Sequence, residues 1–138
     1  MPYFSDDQDV YRHLGQLFLD LLEDEELAPK FRTANTVVQY RYRNPDSQIT
    51  VKLLEAEEGQ VDLGRTLLEP EVIMTMDADV AHRFWLGKVN VTVALARGQM
   101  KASGPVAKIL RLVPLTKPVF PRYKAQLEAA GRSDLANA

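Results

Sequence analysis

The stretch from Thr36 to Met76 constrains the fold most, because its apolar residues alternate with polar ones while those on either side recur at helical spacing. Thr36 to Arg43 sets Val38, Tyr40 and Tyr42 on one side and Gln39, Arg41 and Arg43 on the other. Asn44-Pro45-Asp46-Ser47 has the chemistry of a turn: a proline with fixed φ, flanked by side chains that bond their own backbone. Gln48 to Leu54 reads as a second strand with Ile49, Val51 and Leu53 aligned. Glu58-Gly59 turns the chain into a short third strand, Gln60 to Gly64, with Val61 and Leu63 inward, and Pro70 precedes a fourth, Val72 to Met76. Strands joined by tight turns predict an antiparallel meander with one face buried, and the side bearing Gln39, Arg41, Thr50 and Lys52 is expected to be the wet one.

The flanks are helical. Ser5 and Gln8 fit a capping box, with Asp6, Asp7 and Asp9 in a first turn where the helix dipole favours negative charge. Val10, Leu14, Leu17, Phe18, Leu21 and Leu22 then form one apolar stripe. The acidic run Glu23 to Glu26 lacks the alternating ligands and mid-loop glycine of a calcium loop and reads as a helix end. After the strands, Asp77 to Leu86 reads as a short helix stopped by Gly87. The alternation of Val89, Val91, Val93 and Leu95 favours a strand over Val89 to Ala96, with Arg97-Gly98 as a hairpin turn into a strand at Gln99 to Ser103. Pro105 opens a helix containing Ile109, Leu110, Leu112 and Val113; Pro114, Pro118 and Pro121 interrupt the chain; a last helix runs from about Pro121 to Ala130. Residues 132–138 are expected to fray. The whole reads as one α+β domain, 1–138, with its core at about 5–130.

Of the 138 residues, 46% are apolar and 26% charged, which excludes a disordered chain, and no run approaches the roughly 18 consecutive apolar residues of a membrane span. The absence of cysteine removes disulfides, thiolate catalysis and cysteine-held zinc together. With an acidic start and no apolar leader, the cytoplasm is the default compartment. His13 and His82 have no histidine partner at helical spacing and are expected at the surface or its boundary. No serine sits in a nucleophile elbow and no glycine-rich phosphate loop exists, so the expectation is a protein without catalytic residues, cofactor or metal. Charge is uneven: residues 1–79 carry 7 Lys/Arg against 17 Asp/Glu, and residues 80–138 carry 10 against 2, together the net −2. The basic residues are spread over several elements without the clustering of a recognition helix, which argues against nucleic acid. Two readings of the asymmetry stand: a basic face for an anionic partner, or an acidic first helix packed near a basic C-terminal segment.

From Glu71 to Val113 the order of phrases is informative. A strand ending Met74-Thr75-Met76 leads into a helix with Phe84-Trp85-Leu86, then Gly87-Lys88-Val89-Asn90, Ala94, Gly98-Gln99-Met100-Lys101-Ala102-Ser103-Gly104 and Leu110. This succession resembles the sterol carrier protein type-two family of lipid-binding domains, and the first helix and meander fit the same order, so the resemblance spans roughly residues 5–130. Val89 and Val91-Thr92 stand where the family commonly has Leu and Pro. The resemblance implies a helix over 90–96 and an α+β fold whose mainly antiparallel five-stranded sheet is covered by helices on one face and encloses an apolar tunnel. It implies binding, and transfer, of an apolar lipid: a fatty acyl chain, sterol or isoprenoid. Candidate lining residues are Met74, Met76, Phe84, Trp85, Leu86, Val93, Met100, Leu110, Val113 and Phe120, each equally at home in a filled core. Trp85 suits a pocket mouth, with its apolar ring and polar N–H. Lys101, Lys108, Arg111, Lys117 and Arg122 then become candidates for bringing that mouth to an anionic membrane. The alternative is an accessory module whose apolar groove takes a partner protein, for instance an enzyme of isoprenoid or quinone metabolism, or a second copy of the chain.

Overall fold

The computed structural model describes residues 2–138. Its first helix starts one residue later than the capping box suggests. Asp6 is the N-cap of α1 (Asp7–Val10), its carboxylate accepting from the Asp9 N–H at 2.9 Å, while Asp9 accepts from the Ser5 N–H at 3.0 Å. Two carboxylates do the work expected of a hydroxyl and an amide. A π-helical turn, Tyr11–Gly15, carries the chain into α2 (Gln16–Glu23). In the acidic run, Asp24 accepts from the Glu26 and Leu27 N–H groups at 2.9 and 2.8 Å, so it ends one helix and starts the next, α3 (Leu27–Arg32).

Five strands follow the expected positions: β1 (Thr36–Arg43), β2 (Ser47–Leu53), β3 (Gln60–Leu63), β4 (Val72–Asp77) and β5 (Met100–Ser103). Their order across the sheet is β3-β2-β1-β4-β5. The first three form the antiparallel meander, with Val38 opposite Val51 and Val51 opposite Val61. The fourth strand departs from it, pairing parallel to β1 with Tyr40 opposite Met74 and Tyr42 opposite Met76. The cause is connectivity. Residues 64–71 span up to about 3.3 Å each when extended, enough to bring the chain back past the four-residue β3 before it pairs again. Gly104 is required just beyond β5: at its φ of +89° an added Cβ would lie 2.1 Å from the Glu71 carbonyl oxygen.

The helices cover the face carrying Val38, Tyr40, Tyr42, Ile49, Val51, Met74 and Met76, and Phe18 of α2 stacks on Tyr40 with centroids 5.3 Å apart. On the opposite face Arg41 is exposed, but Gln39 and Thr50 are not wet. They are buried and hydrogen-bonded to each other at 3.0 Å, with Arg41 donating to Gln39 at 2.7 Å. In the middle of a five-stranded sheet, neighbouring side chains shield them even without a second layer.

The segments after β4 are α4 (Ala78–Trp85), α5 (Val91–Ala96), α6 (Ala107–Leu110), a 3-10 turn (Val113–Thr116), α7 (Val119–Ala129) and α8 (Ser133–Ala136). Val91–Ala96 is the helix that the resemblance implies and not the strand that alternation allows. Asn90 caps it, accepting from the Val93 N–H at 3.1 Å. The helix expected from Pro105 is one turn long before the chain tightens ahead of Pro114. Pro121 lies inside the first turn of α7, where a missing N–H leaves no bond unmade.

The C-terminal residues do not fray. Leu135 and Ala136 are buried, and Arg132 reaches back to Asp9 at 2.9 Å. Both histidines are likewise in the interior, His13 at 2% and His82 at 0% exposure, against the surface position expected of them. His82 is held by the C-terminal tail itself: its Nε2–H donates to the Leu135 carbonyl at 2.9 Å, and its Nδ1 accepts from the Tyr123 hydroxyl at 2.7 Å. Sequence periodicity marks neither contact, because the partners lie 41 and 53 residues away.

Candidate functional site

Between the sheet's apolar face and the helices the interior is left open. The cavity volume is about 60 Å³. Roughly 10–15 Å³ already holds one water, so the void is several times that size. The sheet supplies Tyr40 and Tyr42 from β1, Val51 and Leu53 from β2, Met74 and Met76 from β4, and Met100 from β5. Phe18, Leu21 and Phe31 close it from α2 and α3, and Ala81, Phe84, Trp85 and Val91 from α4 and α5. Ile109, Leu112, Val113 and Thr116 complete the wall.

The strand pleat explains the sheet side: every second residue of each strand meets the same space. Aromatic rings buttress the helix side. Trp85 meets Phe18 edge-on at 5.7 Å, Phe84 at 5.0 Å and Phe120 at 6.4 Å. These contacts fix the indole, which is 5% exposed and therefore part of the wall more than of a rim.

Of the ten residues expected to line a tunnel, Met74, Met76, Phe84, Trp85, Met100 and Val113 do line the cavity. Phe120 stands behind it, against Phe84 and Trp85. Leu86 and Leu110 are half-buried off the wall. Val93 is 42% exposed. Strand alternation groups Val93 with Val91, but on a helix the inward partner of Val91 is Ala94, three residues on. Sequence periodicity does not mark the first-half residues as wall residues, although their alignment is legible in it. Tyr40, Tyr42 and Val51 share one strand face and Phe18 and Leu21 one helix stripe, but only the tertiary fold brings them to the space shared with Met74 and Trp85.

The wall carries no ionisable acid or base apart from the two tyrosines, and burial pushes the Tyr40 and Tyr42 hydroxyls well above their ordinary pKa, so both stay protonated. Among the described residues no cluster of three or more His, Cys, Asp or Glu could hold a metal ion. No helix among them is long and apolar enough to cross a membrane.

The five candidate surface cations are placed unequally. Lys108 pairs with Glu71 at 2.9 Å and Arg122 with Asp24 at 2.5 Å. The Glu71 carboxyl sits below its ordinary pKa because Thr36 and then Lys108 donate to it, and Asp24 does so through the Leu27 N–H and then Arg122. Lys101, opposite Thr75, projects from the sheet face away from the cavity. Arg111 and Lys117 are exposed and belong to the segment whose Leu112, Val113 and Thr116 form the wall.

Solved structures show the same architecture. Sterol carrier protein 2 from Yarrowia lipolytica, in its apo form, superposes with a TM-score of 0.63 at 18% identity, covering 75% of this chain and 87% of that one. The sterol carrier protein domain 2 of Helicoverpa armigera gives 0.64 at 16% identity over 81% and 88%. A ubiquinone synthesis protein, UbiJ-SCP2, gives 0.58 at 15% identity over 80% and 90%. No curated protein matches the sequence. The sequence pattern of the SCP-2 sterol transfer family, however, matches residues 16–117, from α2 to the end of the cavity wall. By that match the chain belongs to the SCP-2 sterol transfer family, a family of lipid-binding domains.

Proposed function

We propose that this protein is a non-catalytic carrier that takes one apolar lipid chain into the cavity and shields it from water. The observation that carries the reading is an unfilled interior walled by aliphatic, aromatic and methionine side chains. Each methylene removed from water gains about 0.8 kcal/mol, and leaving a void in the protein forgoes packing of its own, so such a void makes sense where something else fills it. Met74, Met76 and Met100 give the sheet side of the wall adaptable shapes, which suits entry of a chain longer than the resting cavity. The family's lipid-binding character supports the same reading.

Of the candidate surface cations, Arg111 and Lys117 suit docking to an anionic membrane, at about 1 kcal/mol each near the surface. The 3-10 turn between them, which presents Val113 and Thr116 to the cavity, would then be the part of the wall that moves. A cytoplasmic site of action fits a cysteine-free chain, which loses nothing in a reducing compartment. A second reading, an accessory module for an isoprenoid- or quinone-processing enzyme, is favoured by the occurrence of the fold in a ubiquinone synthesis protein.

Native mass spectrometry of freshly purified protein tests the carrier. The expected spectrum shows protein plus one lipid mass that organic solvent removes. Bare protein that also fails to take up a fluorescent acyl probe would overturn it, and a dimer or partner peak in that case selects the module.

A further inference from the structure

Tyr42 stands opposite Met76 of β4 and Ser47 of β2, on the cavity face of β1, and is 3% exposed. No protein group among the described residues is within hydrogen-bond reach of its hydroxyl. Other buried hydroxyls are paired: Tyr123 with His82 at 2.7 Å, Thr36 with Glu71 at 2.6 Å, Thr50 with Gln39 at 3.0 Å, and Thr116 with the Val113 carbonyl at 2.6 Å. An unpaired buried hydroxyl forfeits its hydration, and native proteins tolerate few such groups. Phenylalanine would give the same wall without that cost. The one unpaired buried hydroxyl among the described residues borders the apolar cavity, so its partner belongs in the cavity.

Resting on the carrier reading, we propose that the Tyr42 hydroxyl donates a hydrogen bond to an uncharged oxygen, a hydroxyl or carbonyl, carried by the bound lipid. The cavity then selects oxygenated neutral lipids over plain hydrocarbons. Thr116 has its proton committed, and Tyr40, the other tyrosine of the wall, is only half-buried, which leaves Tyr42 as the deep donor. No cation lines the wall, so an ionised headgroup drawn inside would lose its hydration without a counter-charge. A ligand of this class places its neutral oxygen in the interior and keeps any charged end outside.

The test uses the full chain and two probes, 9-octadecanone and octadecane, dissolved together in phosphatidylcholine vesicles. Protein is separated from the vesicles, and the bound probes are extracted and quantified by gas chromatography–mass spectrometry. The ketone-to-hydrocarbon ratio on wild type divided by that on Tyr42→Phe cancels each probe's own affinity for the bilayer. The expected double ratio is about fivefold, the worth of one neutral hydrogen bond. A double ratio of one, with both proteins loaded, would overturn the proposal. Infrared spectra of ¹³C-carbonyl ketone bound to wild type give a second measurement independent of the variant's folding. A carbonyl stretch lowered relative to the ketone in hydrocarbon is expected, and an unshifted stretch overturns the donor role. If wild type loads neither probe, the carrier reading itself fails together with this one.

Discussion

Leu14 and Leu112 are two leucines nearly removed from water, at 0% and 5% exposure, but they face different surroundings. Leu14 is packed within the core, whereas Leu112 borders the cavity and lacks partners on one side. Truncation of Leu14 to alanine therefore leaves a new hole and should cost about 3–5 kcal/mol, and truncation of Leu112 about 2 kcal/mol. Urea titrations of the two variants measure the difference; equal losses would mean that the cavity wall is as tightly packed as the core. Ala81, buried on α4, makes the converse experiment. Ala81→Leu fills space the wild type leaves open, so the melting temperature should hold or rise while uptake of an acyl probe falls at least about tenfold. A variant that loses stability and keeps full uptake would place the ligand elsewhere.

At the scale of elements, the two ends of the chain lock each other. Asp9 of α1 is paired with Arg132 just before α8, and His13 lies beside both, 3.5 Å from Asp9. Burial alone would raise the Asp9 carboxyl, but the Ser5 N–H and Arg132 outweigh it and hold the group below its ordinary 3.8. Burial lowers the pKa of His82 and His13 below 6.5, with the Leu135 carbonyl and Asp9 respectively pulling the other way. Both histidines are thus neutral in the fold and take up protons more readily when it opens. Their contribution is fully present above pH about 6.5 and is lost as pH falls below that, while the Asp9 contribution persists until pH drops below about 3.8. The expected result is a urea midpoint that declines between pH 7.5 and 5.5 in wild type and declines less in His82→Asn; a flat wild-type profile would contradict it. Deleting residues 132–138 removes Leu135 and the Arg132 guanidinium together and uncovers His82 and Asp9. A loss of at least about 2 kcal/mol is expected by the same titration.

At the scale of the molecule, the opposite charges of the two halves are used to join them. Asp9, Asp24 and Glu71 from the acidic half meet Arg132, Arg122 and Lys108 from the basic half. The structure thus supports the reading in which the asymmetry holds the chain together, and it leaves Arg111 and Lys117 among the exposed cations outside those three pairs. If these two dock the protein, probe uptake from phosphatidylserine-containing vesicles should exceed that from phosphatidylcholine. It should slow as salt rises from about 0.05 to 0.5 M, where the screening length shortens severalfold. The pair Arg111→Glu and Lys117→Glu should abolish that preference and leave uptake from neutral vesicles unchanged. Uptake indifferent to salt would remove the docking role.

Local physics determined much of this protein in advance. Pleat alternation, turn residues and the apolar helix stripe located all five strands, the helical stretch 7–23 and the sheet face that the helices cover, because each depends on neighbours within a few residues. The order of short phrases from Met74 to Leu110 carried the family and implied a helix over 90–96 against the alternation, and the structure decided for the helix. What the chain's periodicity could not express is contact at long range. The parallel seating of β4 against β1 depends on how the segment 64–71 returns, and the burial of His13, His82 and Leu135 on the meeting of the two termini. That Tyr40, Tyr42, Phe18 and Trp85 bound a void instead of filling it was decided only in three dimensions, because a cavity is a property of the distance between elements and not of any one of them.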